Sequence, residues 1–348
     1  MNQIRQQLIR YPERLFYLLS AAGTIGFVLI CLLKGDGFDW ISMGNTSDWG
    51  LTDFSRHIYF AADLGTTYKV GGSTACFPPF VYLLFHLLYR IIPTPLTDYD
   101  WLSYKDSPYI IIAYVMLMIF MSLYFLLIVQ KIIVRTTKEC VLLCSLLLCS
   151  LPFFMGAIER GNPVLLTLLL ILTGLYLKDS PSAVKRECAL LLLAIAVNFK
   201  LYPAVLGLLF LKEKRWKEAL RFSLYSIVLF FVPFIWVGGT EGFMLYFDGL
   251  FSLTSLLVTE YSSFKHITFA ILTAFHVNSE TAAFAGMITG HICFILLLIL
   301  AWITRVRWKE LLYLSLIMSY YLPGNYRYTV VFMTIPLFFF IRDRSLSP

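Results

Sequence analysis

Apolar runs long enough, or nearly long enough, to cross a bilayer recur along almost the whole chain, and no other feature restricts its fold as much. A first run from Leu15 to Leu33 is followed by others at roughly residues 109–130, 139–157, 164–177, 188–211, 222–238, 283–304, 311–323 and 329–341. A helix crossing the hydrocarbon core needs about 20 predominantly apolar residues. The chain is 59% hydrophobic and 14% charged, whereas a soluble domain has about a quarter charged residues. With 30 Phe and 21 Tyr it also carries far more apolar surface than disorder tolerates. The expected fold is all-α, a polytopic transmembrane bundle of about 10–12 spans, forming a single domain over residues 1–348 with no internal repeat.

Basic residues fall in alternate connectors. Arg5, Arg10 and Arg14 precede the first run, and later clusters are Lys131/Arg135/Lys138, Lys178/Lys185/Arg186, Lys212/Lys214/Arg215/Lys217/Arg221, Arg305/Arg307/Lys309 and Arg342/Arg344. These hold most of the 28 basic residues, so the net charge of +7 reads as topology and not as a nucleic-acid surface. The rule that positive loops stay inside predicts cytoplasmic N- and C-termini, an uncleaved first span, and extracytoplasmic loops at residues 34–108 and 239–282. The first of these carries Asp36, Asp39, Asp48, Asp53 and Asp63.

Parity resolves two segments. Run 188–211 has basic flanks on both sides, so it must enter and return as two short helices broken at Asn198-Phe199-Lys200-Leu201-Tyr202-Pro203. Arms of about eleven residues reach only about 16 Å, which puts Lys200 within the membrane or in a cavity open to the outer side. Segment Pro78 to Pro93 is short and has outer-type loops on both sides, and reads as a re-entrant or interfacial helix. It could instead be a true span. The seven cysteines lie mostly in apolar runs without metal-ligand spacing and read as small core residues.

Polar residues at bilayer depth, or clustered on one face, are costly and point to function. Four clusters fit, all on the expected outer side: Asp53 with Arg56, His57 and Tyr59; Glu159-Arg160-Gly161-Asn162-Pro163; Lys200 with Tyr202; and Arg327 with Tyr326 and Tyr328. A fifth is Ser262-Ser263-Phe264-Lys265-His266. Cations converging with carboxylates suit an anionic ligand plus a base. Plainer readings stand beside this one: Glu159 pairing with Arg160 at a helix end, Lys200 snorkelling to the interface, a solvated Asp53, and His57 and His266 as ordinary polar surface.

The ordered set Asp53-Phe54, Tyr59, Tyr68, Phe77-Pro78-Pro79, then Glu159-Arg160-Gly161-Asn162, then Asn198-Phe199-Lys200-Leu201-Tyr202-Pro203, then Lys212-Glu213-Lys214-Arg215-Trp216 resembles the GT-C membrane glycosyltransferases of the family 87 type, which use polyprenyl-phosphate mannose. The resemblance runs over about residues 48–217. Its Glu159-Arg160 departs from that family's Gly-Gln-x-Asn segment. It implies an all-helical bundle, a catalytic base in the first outer loop and a cavity that admits a polyprenyl phosphate.

A polyprenyl phosphate is already a good leaving group, so such a site needs no general acid. It needs a base for the acceptor hydroxyl and positive charge at the phosphate. The expected assignment is Asp53 as base with Asp63 in reserve, and Lys200, Arg160 and Arg327 on the phosphate. Arg56, His57, Tyr59, Glu159, Asn162, Tyr202, Lys265 and His266 would bind substrate. No metal site or cofactor is expected, because the outer carboxylates are scattered along the chain. The partners would be a polyprenyl-phosphate sugar, a glycolipid or polysaccharide acceptor and membrane lipid. The rival readings are a transporter or flippase of a lipid-linked sugar, and an accessory subunit of a polysaccharide assembly.

Overall fold

The computed structural model describes residues 50–92, 107–150, 153–255, 263–321 and 327–346, together with a helix at Tyr17–Gly26. Asp36, Asp39 and Asp48, the N-terminal arginines, Ser262 and Tyr326 lie outside the described residues.

The described residues are helical and contain no strand. In order they form α1 (Tyr17–Gly26), α2 (Thr52–Phe60), α3 (Thr67–Gly71), α4 (Pro79–Ile91), α5 (Pro108–Ile133), α6 (Thr137–Leu148), α7 (Val164–Leu177), α8 (Ala183–Phe199), α9 (Gly207–Lys212), α10 (Trp216–Phe231), α11 (Gly239–Ser255), α12 (Phe264–Ala274), α13 (Ser279–Ile303), α14 (Arg307–Tyr320) and α15 (Thr334–Leu346). A π-helical turn at Phe153–Glu159 precedes α7, and 3-10 turns at Tyr202–Leu206 and Arg327–Met333 precede α9 and α15.

Among the described residues three helical stretches are long and apolar enough to cross a membrane: Pro108–Ile133, Trp216–Ile235 and Ser279–Ile303. The shorter apolar helices, such as α7, α12 and Tyr202–Lys212, complete an all-α membrane bundle. On the long helices, side chains such as Ile112, Met116, Phe120 and Ile292 are exposed. Water would penalise such a surface, whereas lipid tails are as apolar as the side chains. One core joins α5 through its C-terminal half to α6, α7, α8, α9, α14 and α15. A second, strongly aromatic core joins α2, α3, α4, the start of α5, Phe199, Phe234 and Tyr246.

Within segment 78–93 α4 covers Pro79–Ile91 and meets the preceding helix, Thr67–Thr74, at a bend of 114°. Pro78 and Pro79 enforce the break, since proline has no amide to donate into a continuing helix. The 188–211 hairpin breaks where expected, with Lys200 extended (φ −148°, ψ 128°) after Phe199. Its first arm corrects the sequence reading: α8 has 17 residues and begins at Ala183. Lys185, Arg186 and Glu187 are part of the helix, so an apolar run underestimates its length.

Three basic connectors meet at one end of the bundle. Lys178, 1% exposed, donates to Asp179 (2.8 Å) and Glu213 (2.7 Å). Arg215 bonds Asp179 (2.9 Å) and Glu213 (3.2 Å), and Arg307 bonds Glu213 (3.1 Å) and Glu310 (3.0 Å). Lys212 reaches Glu310 at 3.1 Å.

Candidate active site around Asp53

The site is built where the start of α2 docks onto the turn before α7. A helix leaves its first amides without intrahelical partners, and here carbonyls from a distant segment supply them. The Leu51 amide donates to the Glu159 carbonyl (2.8 Å), and the Asp53 and Phe54 amides donate to the Arg160 carbonyl (2.9 and 3.3 Å). Gly161 makes this approach possible. Its φ is +68°, and a Cβ there would stand 2.6 Å from Phe54 Cβ and 3.1 Å from the Tyr114 ring. Such a φ is costly for residues other than glycine.

The docking places Asp53, 7% exposed, against Arg160 and Asn162. Arg160 donates from Nη2 to Oδ1 (2.9 Å) and from Nε to Oδ2 (3.3 Å), while Asn162 Nδ2 donates to Oδ2 at 2.7 Å. The other end of the Asn162 amide accepts the Val164 amide (3.1 Å) at the start of α7. Burial alone would raise the Asp53 pKa, but the Arg160 guanidinium outweighs it and holds the carboxyl at about 2. Asp53 is therefore not solvated, and it forms an ion pair with Arg160 at 2.9 Å. Glu159 is half-buried beside them, and burial, aided by the Asp53 charge, lifts it to about 7.

One turn further along α2, His57 is buried and its Nδ1 lies 3.1 Å from the Tyr82 hydroxyl. Burial lowers its pKa to about 3, so the imidazole is neutral. Its ring is 4.2 Å from that of Phe77. The same Phe77 ring carries the Lys200 ammonium at 4.2 Å, with Tyr328 on another side at 5.5 Å. Lys200 is itself buried at 8% exposure. Among the described residues no carboxylate lies within ion-pair distance of it, though it is close enough to interact electrostatically with Asp53.

The structure thus gathers Asp53, His57, Glu159, Arg160, Asn162 and Lys200. Arg56 and Tyr59 sit half-buried on the same helix, and Tyr202 packs on Phe332 at 5.9 Å. Arg327 opens the 3-10 turn that carries Tyr328. Asp63 is exposed and caps its own turn through the Gly65 amide (3.0 Å) and the Thr66 hydroxyl (2.9 Å). Lys265 and His266 belong to the start of α12, which packs along α13, and His266 bonds Ser263 at 2.6 Å. Sequence reasoning missed Tyr82, whose place inside an apolar helix gives no signal, and the platform role of Phe77.

The sequence model of glycosyltransferase family 87 matches residues 76–322, about seven-tenths of the chain. The matched stretch holds Glu159, Arg160, Asn162 and Lys200, while Asp53 and His57 lie upstream of it. No curated protein and no solved structure is significantly similar to the chain.

Proposed function

We propose that this chain, which belongs to glycosyltransferase family 87, transfers a mannose-like hexose or a pentose from a polyprenyl-phosphate donor to a hydroxyl of an envelope lipid or polysaccharide. As a membrane glycosyltransferase it must hold a sugar donor and an acceptor. The observation that carries the donor class is Lys200: a buried ammonium on two aromatic rings, without a carboxylate at ion-pair distance among the described residues, beside a carboxylate site. A buried cation is costly unless compensated, and a lipid phosphate compensates it with charge-assisted hydrogen bonds.

In this reading the acceptor oxygen attacks the anomeric carbon as its proton passes to Asp53. The bond from that carbon to the phosphate oxygen breaks with inversion, and polyprenyl phosphate leaves with its charge against Lys200, helped by Arg160 and Arg327. The fork that keeps Asp53 ionised also makes it a weak base, so the donor phosphate must draw Arg160 partly away before Asp53 accepts the proton. Phosphate and carboxylate suit the same bidentate guanidinium, which makes this exchange chemically matched. The reaction side is extracytoplasmic, and no divalent cation is required. Turnover lost in chelator and restored by magnesium or manganese would reject the last point.

Purified protein should release polyprenyl phosphate from a labelled polyprenyl-phosphate sugar. Lys200→Ala should weaken donor binding as well as turnover. Unchanged donor affinity in a folded Lys200→Ala protein would remove Lys200 from the phosphate, and movement of intact donor across vesicles without release would favour a flippase.

A further inference from the structure

His57 lies one turn beyond Asp53 on α2, so the two side chains share a face of that helix. The imidazole interacts electrostatically with both Asp53 and Lys200. It also shares the Phe77 ring with the Lys200 ammonium, each at 4.2 Å. The rings of Phe60, Tyr82 and Phe85 stand 5.7, 5.7 and 5.8 Å away, so packing on four aromatic side chains fixes its orientation.

Its polar contact is with Tyr82. Nδ1 lies 3.1 Å from the Tyr82 hydroxyl, and among the described residues Nε2 has no hydrogen-bond partner. A neutral imidazole carries one ring proton, and the bond made by one nitrogen decides which of the two holds it. Tyr82 is fully buried, and a second contact of its hydroxyl, with the Phe77 backbone, favours the oxygen as an acceptor. Were the imidazole proton on Nδ1, the Tyr82 hydroxyl proton would be buried with no acceptor among the described residues, which is costly. With Tyr82 donating to Nδ1 that cost vanishes, and the imidazole proton sits on Nε2. Tyr82 is itself held in place. Its ring is 5.4 Å from that of Tyr68, whose hydroxyl donates to the Phe77 carbonyl at 2.9 Å.

We propose that Tyr82 is a positioning residue, which locks His57 in the tautomer whose Nε2–H donates to an oxygen of the donor's sugar. The proposal rests on the donor class proposed above and adds how the sugar itself is held. In that reaction the acceptor oxygen is at Asp53 and the phosphate at Lys200, so the sugar carbon under attack lies between them, at the level of His57. The phosphate takes its charge-assisted contacts from cations, whereas a neutral N–H suits a hydroxyl or ring oxygen.

The test uses the purified full chain in phosphatidylcholine nanodiscs. The probes are polyprenyl-phosphate mannose, or polyprenyl-phosphate arabinose if turnover is faster with it, and polyprenyl phosphate without a sugar. Tyr82→Phe keeps the ring and removes the hydroxyl. It should weaken binding of the sugar-bearing lipid about three- to tenfold, the usual worth of a neutral hydrogen bond, and leave the affinity for polyprenyl phosphate unchanged. His57→Gln carries an N–H near the place of Nε2 without needing Tyr82, so adding Tyr82→Phe to it should cost nothing further. Nitrogen NMR spectra of histidine-labelled protein, assigned by the signals that His57→Gln removes, should show the His57 proton on Nε2. In Tyr82→Phe the proton should spread over both nitrogens. A proton on Nδ1 in the unaltered protein would overturn the proposal and leave the donor class standing. So would an equal effect of Tyr82→Phe on the two lipids, nil included, or a further loss in the His57→Gln background. Should Tyr82→Phe misfold, the spectrum of the unaltered protein decides. Absence of saturable polyprenyl phosphate binding would overturn the donor class and this proposal together.

Discussion

At the scale of single residues, the site depends on one glycine and three side chains that no short motif unites. Gly161→Ala would force an L residue into φ +68° and push a methyl onto Phe54 and Tyr114. The left-handed backbone alone costs about 1–2 kcal/mol, so a lower thermal transition is expected, with a larger loss of activity because the displaced turn carries both Asp53 partners. Asp53→Asn keeps the shape and removes the proposed base. Turnover should fall by about 10² or more, while donor binding, assayed separately, persists. Glu159 supplies a pH dependence. Its folded pKa, about 7, lies above the ordinary 4.5 because of burial and the Asp53 charge. Its protonated form is therefore favoured by the fold, and its contribution is complete below 4.5 and lost as pH rises through about 7. Glu159→Gln should shrink the difference in melting temperature between pH 5 and pH 8; an unchanged difference would count against this assignment. The sequence showed Glu159-Arg160-Gly161-Asn162 as a polar cluster, with Arg160 expected on the donor phosphate and Glu159 as its plainer alternative partner. Arg160 pairs with Asp53, 107 residues upstream, where the Glu159 and Arg160 carbonyls accept the first amides of α2.

At the scale of elements, breaks were more legible than lengths. Proline and polar residues marked the turn at Lys200 and the bend before α4, since both interrupt helical hydrogen bonding in a way that residue type reveals. The start of α8 was hidden because charged residues are as compatible with helix as with loop. The connector network belongs to this scale. Glu213 accepts from Lys178, Arg215 and Arg307, tying the ends of α7, α9 and the start of α14 together. Glu213→Gln would leave the buried Lys178 with Asp179 as its remaining carboxylate. Breaking one side of a buried pair leaves an uncompensated charge, and the partial rescue by Asp179 suggests a cost of about 2 kcal/mol. Thermal unfolding in detergent should show it. Lys178→Met combined with Glu213→Gln should recover part of the loss, because the charge is removed together with its partner.

For the whole molecule, the question is which end faces which side of the membrane. Basic connectors are retained in the cytoplasm during insertion, and the residues from three of them, Lys178, Lys212, Arg215 and Arg307, converge in one ion-paired cluster. Asp53, Arg160 and Lys200 form a separate buried group, Arg160 just before α7 and Lys200 at the hairpin break, each at the other end of a helix from the cluster. By the retention rule the cluster would face the cytoplasm and the Asp53 site the outside, the side proposed above for the reaction. Single cysteines in a background without native thiols test this directly. Position 63, exposed in the turn after α2, should react with an impermeant thiol reagent in intact cells, and position 214, exposed between α9 and α10, should react only after permeabilisation. Reaction at 214 in intact cells would invert the topology and, with it, the side from which the donor phosphate reaches Lys200.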